Sequence, residues 1–173
     1  MASWWESLQR RAWRPYIEAS LLLETRLDED MRAAAGLGLM EYHVLMVLSE
    51  SPAHRLRMGE LATRMVFSPS RLTYQVKGME RRGWVLRQSS PEDKRVTFAV
   101  LTASGLDVFR EADAHHIEAV QRLFTEDLDE DELRVIAQVF TRLRSRLHGG
   151  CAGAEAAFAT HDESIEQAGH EHQ

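Results

Sequence analysis

Large apolar residues recur along this chain at three- and four-residue intervals, the spacing of one face of an α-helix. Trp5, Leu8, Ala12, Tyr16, Ala19, Leu23 and Leu27 follow that rhythm, and Trp13, Ile17 and Leu21 make a second stripe. Residues 4–35 therefore read as a helix that is apolar on two sides and requires two partners. Pro15 removes a backbone donor in its middle, so either the helix kinks there or a short arm ends and a new helix begins. Gly36 and Gly38 punctuate the pattern. Leu39, Tyr42, Leu45, Met46 and Leu48 then mark a shorter helix with a structural role, which stops before Ser51-Pro52.

Residues 58–65 (MGELATRM) form a short amphipathic helix with Leu61, Ala62 and Met65 inward, followed by a break at Val66 and Phe67. Ser68 is a good N-cap and Pro69 occupies the first helical position, where its missing N–H costs nothing. A helix is expected over residues 69–82, ending at Gly83. Two such helices joined by a tight turn match a helix-turn-helix. The β-branched and aromatic runs 84–87 and 96–101 flank the polar stretch QSSPEDKR, which predicts a hairpin with a charged tip.

Thr102 can cap a further helix carrying Leu106, Phe109, Ile117, Val120 and Phe124. Asp129 with Glu132 three residues later has the form of a capping box for a last helix. In that helix Leu133, Ile136, Phe140, Leu143 and Leu147 make a seam that calls for another helix. Residues 149–173 are small, polar and acidic, and are expected to be a flexible tail.

The helix at 69–82 carries the candidate chemistry. Leu72, Val76 and Met79 share its buried stripe, and at 100° per residue Ser70, Tyr74, Lys77 and Arg81 point the other way. Arg71 and Thr73 lie on the two shoulders. Hydroxyls, a phenol and cations on a helix of this width suit the DNA major groove, where arginine is the usual bidentate partner of guanine. Arg71 is the expected base contact, and Ser70, Thr73 and Tyr74 make mixed base and phosphate contacts, with Ser68 as cap. Lys94 and Arg95 at the hairpin tip can reach phosphates or the minor groove, and Asp93 can orient Arg95 through a carboxylate–guanidinium pair. The competing reading of each charge is an ordinary solvated side chain.

Charge distribution sharpens this picture. The 173 residues, a length suited to one compact unit, carry a net charge of −6, yet residues 51–101 hold ten basic and four acidic side chains. That window is +6 and the remainder is −12, so a positive module sits between negative flanks and can steer a polyanion to one surface. Hydrophobic content of 44% and charged content of 28% allow a real core. No apolar run is long enough for a membrane helix, and the first residues lack a signal peptide's apolar stretch, so a cytoplasmic protein without a membrane partner is expected.

The one cysteine, Cys151, excludes an internal disulfide framework and a multi-cysteine zinc site. Adjacent His115 and His116 diverge around a helix, and His161, His170 and His172 lie in the tail, so no metal site or cofactor is expected. Phosphate-cradling glycine loops, nucleophile elbows and zinc-protease helices are absent from the sequence, and the expectation is a protein that is not an enzyme.

The stretches GELATRM, SPSRLTYQVKGMERRGWV and PEDKRVTFAVLTASG together resemble the MarR (multiple antibiotic resistance regulator) family of winged-helix repressors over about residues 15–147. The last stretch is similar to the family's wing signature: Asp-x-Arg, a strand, then Leu-Thr-x-x-Gly. The resemblance implies a mainly α fold: a winged helix-turn-helix with a small β-hairpin wing, plus N- and C-terminal helices that form a dimerisation region. It further implies a winged-helix domain over residues 1–148, with a DNA-binding module at about 52–102 and dimerisation helices at about 4–35 and 103–147. A homodimer would place two recognition helices about one DNA turn apart, roughly 34–36 Å, on a pseudo-palindromic operator.

Relief of repression by a small phenolic or lipophilic effector is also implied, with Trp13, Tyr16, His43 and Arg87 as candidate lining residues from their positions. The family's thiol-sensing branch uses a cysteine in the first helix, which this chain lacks, so redox sensing through Cys151 is not expected. The alternative function is a winged-helix protein-interaction module without DNA binding.

Overall fold

A computed structural model describes residues 7–148, and of His148 the backbone alone; the stretch 149–173, with Cys151 and the three tail histidines, and the first residues with Trp4 and Trp5 lie outside the described part. The chain runs α1 (Leu8–Ala35), α2 (Leu39–Ser49), a 3₁₀ turn (Pro52–His54), β1 (Arg55–Arg57), α3 (Met58–Arg64), α4 (Pro69–Arg81), β2 (Val85–Ser89), β3 (Thr97–Leu101), α5 (Ala103–Val120) and α6 (Glu130–His148). This is the mainly helical winged helix-turn-helix that the pattern predicts.

α2 is the centre of the fold. Leu39, Tyr42, Val44, Leu45, Val47 and Leu48 are all buried, so apolar residues surround the helix rather than striping it. Around it pack the C-terminal part of α1 through Leu27 and Met31, α5 through Ala112 and Ala119, and the sheet through Ala99 and Leu101. Pro15 lies inside an uninterrupted α1 that begins at its cap Ser7, so the chain continues through the proline in a single helix. Leu8, Trp13, Leu21 and Leu22 of that helix stay exposed.

The sheet has three strands in the order β1-β3-β2, all antiparallel. The hairpin is therefore larger than the sequence suggests: β1 pairs Arg55 with Val100 and Arg57 with Phe98. Three residues are too few for an alternating pattern to stand out. After α5, residues Gln121–Thr125 form one π-type turn, which shortens the predicted helix and leaves Phe124 partly exposed. The final helix starts on the expected capping box: the Asp129 carboxylate accepts from Glu132 N at 2.9 Å and the Glu132 carboxylate accepts from Asp129 N at 3.0 Å.

Gly105 accounts for the last position of the Leu-Thr-x-x-Gly motif. Thr102 caps α5 by accepting from Gly105 N at 2.9 Å and donates its hydroxyl to the Gly83 carbonyl at 2.7 Å. The helix start is thereby pulled against the sheet, and a Cβ on Gly105 would stand 2.1 Å from the Trp84 carbonyl oxygen. Only glycine permits that approach.

Candidate nucleic-acid interface

The turn between α3 and α4 sets how the second helix is presented. Val66 takes φ 54°. It is held there by hydrogen bonds from Val66 N to Thr63 O and from Phe67 N to Ala62 O. Ser68 then caps α4, its hydroxyl accepting from Arg71 N at 3.3 Å, with Pro69 in the first turn. Leu72, Val76 and Met79 are fully buried, which anchors one side of α4. Ser70, Arg71, Thr73, Tyr74, Lys77 and Arg81 are all exposed, Tyr74 at 77%. The tyrosine does not pack back on its own subunit.

Local bonds determine what these groups can offer. Thr73 donates its hydroxyl proton to the Pro69 carbonyl at 2.7 Å, so it presents a methyl group and oxygen lone pairs outward. The Ser68 and Ser70 hydroxyls share a 3.2 Å bond. Arg71 lies with its guanidinium carbon 4.2 Å from the centre of the Phe67 ring, which leaves its donor edge free for an acceptor.

The wing is a built loop. Ser90 N donates to Val96 O at 2.8 Å, and the Ser90 hydroxyl accepts from Glu92 N and Asp93 N. Asp93 accepts from the backbone of Arg95 at 3.0 Å and from its guanidinium at 3.1 and 3.2 Å. These bonds hold the Asp93 carboxyl below the usual carboxylate range. The Arg95 side chain remains 91% exposed, directed but not covered, and Lys94 beside it is exposed as well.

Two arginines that tie α4 to its surroundings have no counterpart in a helical-wheel argument. Arg87 on β2 pairs with Glu80 on α4 at 2.8 Å, and this bond draws the Glu80 carboxyl down. Arg82, at the end of α4, stacks 3.6 Å over the Trp84 ring and donates to the Gly36 carbonyl at 2.7 Å. The second link joins residues 46 positions apart and has no signal in the neighbouring sequence.

The four candidate effector residues fall into three contact groups. Trp13 and Tyr16 touch each other, and Tyr16 reaches Phe140 of α6 with ring centres 5.4 Å apart. His43 meets His116 and Tyr42 between α2 and α5. Arg87 is held at the foot of the wing by Glu80. Among the described residues no set of three or more His, Cys, Asp and Glu side chains could hold a metal ion, and no helix is long and apolar enough to cross a membrane.

Comparison with known proteins agrees with this geometry. The MarR family model matches residues 37–97, which span α2 to the start of β3. The HTH-type transcriptional repressor YetL of Bacillus subtilis (strain 168) is 32% identical over 114 residues, covering 63% of this chain and 68% of that protein. The transcriptional repressor MprA of Escherichia coli (strain K12) is 28% identical over 128 residues, covering 74% and 71%. Among solved structures, Sco3205, a MarR family transcriptional regulator from Streptomyces coelicolor in complex with DNA, is similar at 35% identity and a TM-score of 0.79, covering 85% of this chain and 92% of that one. With the exposed polar flank of α4, the wing beside it and these relatives taken together, the chain belongs to the MarR family of transcriptional regulators.

Proposed function

We propose that this chain acts as a homodimeric repressor that binds a pseudo-palindromic operator through α4 in the major groove and the wing in the minor groove. In this reading residues 52–102 are the DNA-binding module, while α1, α5 and α6 are the dimerisation part. The observation that carries it is the exposed flank of α4 (Ser70, Arg71, Thr73, Tyr74, Lys77 and Arg81) lying beside a wing whose Arg95 is aimed by Asp93. Arg71 reads a base, and Arg95 with Lys94 holds backbone or minor-groove oxygens.

The dimer reading rests on large apolar side chains that stay exposed among the described residues. Leu21 and Leu22 of α1, and Val135, Val139, Phe140 and Leu147 of α6, are all exposed. Large apolar side chains left exposed on two helices suit an interface, and a second copy supplies the same two helices in twofold arrangement. Repression is supported by the names of YetL and MprA. Release by a small lipophilic molecule is the accompanying regulation, with the half-exposed Trp13–Tyr16 pair beside α6 as its aromatic contact.

Footprinting on the DNA flanking the protein's own gene, repeated with phenolic and aromatic acids, tests this reading. Protection of a pseudo-palindrome is expected, with an affinity that falls steeply with salt as counterions are released. Salt-independent association or no protection overturns it.

A further inference from the structure

Between the recognition helix and the wing lies an open cleft of about 430 Å³, lined among others by Arg57, Gly59, Thr73, Arg87, Arg95 and Thr97. Three of the lining residues, Arg57, Arg87 and Arg95, are arginines. The acidic neighbours already have partners: Glu60 with Arg64 at 3.1 Å, Glu80 with Arg87 at 2.8 Å, and Asp93 with Arg95 at 3.1 Å. Arg57 is exposed and makes no ion pair with a described residue, so its positive charge is in excess.

The position of Arg57 is well determined. It pairs with Phe98 as the last residue of β1 and is the N-cap residue of α3, so its backbone is fixed on both sides and only its side chain has to order. In duplex DNA the major and minor grooves are separated by a sugar–phosphate strand. A protein that places α4 in one groove and the wing in the next must let that strand cross the space between them, and this cleft is that space.

We propose that the cleft seats a backbone phosphodiester of the duplex, held by Arg57 with Arg87 beside it, and so fixes the register between recognition helix and wing. The proposal rests on the reading of α4 and the wing given above. Arg87 serves two contacts: its pairing with Glu80 fixes the guanidinium against α4, and its remaining N–H groups face the strand. Neither arginine reads sequence, because a phosphate carries none.

Binding of R57Q and R57K to an operator fragment and to an unrelated duplex, over a range of salt, tests the assignment. R57Q is expected to weaken both duplexes by the same factor, roughly ten- to a hundredfold for a charged hydrogen bond. Its log–log salt slope should fall by about 0.9 per engaged subunit, while R57K keeps most of the slope. Thermal melting of the free variants should match that of the unchanged protein, since Arg57 is exposed.

A series of duplexes, each with one phosphate replaced by a neutral methylphosphonate, gives an independent readout. One position per half-site should weaken the unchanged protein and leave R57Q indifferent. Loss at the operator alone, an unchanged slope, or no such position overturns the phosphate seat while leaving α4 and the wing as DNA contacts. Absence of any salt-dependent duplex binding by the unchanged protein overturns both.

Discussion

Arg82 and Gly36 are 46 positions apart in sequence, yet the arginine at the end of α4 donates a 2.7 Å hydrogen bond to the carbonyl of the glycine that ends α1. The same guanidinium lies 3.6 Å over Trp84 and 3.4 Å from a Glu41 carboxylate oxygen. The end of the recognition helix is thus latched to the end of a helix assigned to dimer contact. Arg82→Ala is expected to cost about 1–2 kcal/mol of stability, the lower range for a partly solvated charged bond and a cation–π contact. Urea unfolding measures that loss. DNA affinity should fall with it, and Arg82→Lys should restore little, because an ammonium cannot stack and fork as a guanidinium does.

The two arginines proposed to contact DNA should fail in different ways. Arg71→Ala is expected to cost about 1–3 kcal/mol at one preferred base pair and little elsewhere, whereas Arg95→Ala weakens every duplex and flattens the salt dependence. Titrations against a panel of single-base operator variants separate the two patterns. Equal loss on all sequences for both variants contradicts the division of labour.

Gly105→Ala places a methyl group 2.1 Å from the Trp84 carbonyl. The nearest atom is a backbone oxygen, which cannot rotate away as the Leu101 methyl carbon 2.9 Å off can, so destabilisation of about 1–3 kcal/mol is expected, as for overpacking elsewhere. The midpoint of chemical denaturation reports it. An unchanged midpoint would mean that the start of α5 shifts without cost.

Acid should weaken the α2–α5 packing. Burial pushes His43 below its ordinary value, with His116 adding to the effect, and burial lowers His116 in turn. A histidine depressed in the folded state binds fewer protons folded than unfolded, so its contribution is complete above the unfolded value near 6.5 and is lost as pH falls through the folded one. Denaturation midpoints should therefore decline between about pH 7 and pH 5, and a His43→Phe, His116→Phe double variant should show a smaller decline.

If α1 and α6 form the proposed dimer interface, Phe140→Glu, on the exposed face of α6 against Tyr16, should dissociate the pair and abolish operator binding. Sedimentation would show a monomer for the variant, and a persistent dimer would place the interface elsewhere.

The helix-turn-helix was legible in the sequence because its signals are local. Ser68-Pro69 fixes where α4 begins, Leu72, Val76 and Met79 fix its rotation, and Asp129 with Glu132 does the same for the start of α6. β1 was not legible, because its three residues owe their conformation to pairing with β3. The links from Arg82 to Gly36 and from Arg87 to Glu80 are likewise tertiary: nothing adjacent to either arginine encodes its partner. The exposed flank of α4 could be computed from a helical wheel, whereas the cleft around Arg57 depends on how β1, α4 and the wing meet.

Val66, at φ 54°, holds a β-branched residue in a conformation that glycine adopts more easily, at a strain of about 1–2 kcal/mol. The bonds from Val66 N to Thr63 O and from Phe67 N to Ala62 O hold the junction against that strain, so the direction in which α4 leaves α3 is imposed by the fold around the turn and not by the preference of the residue within it.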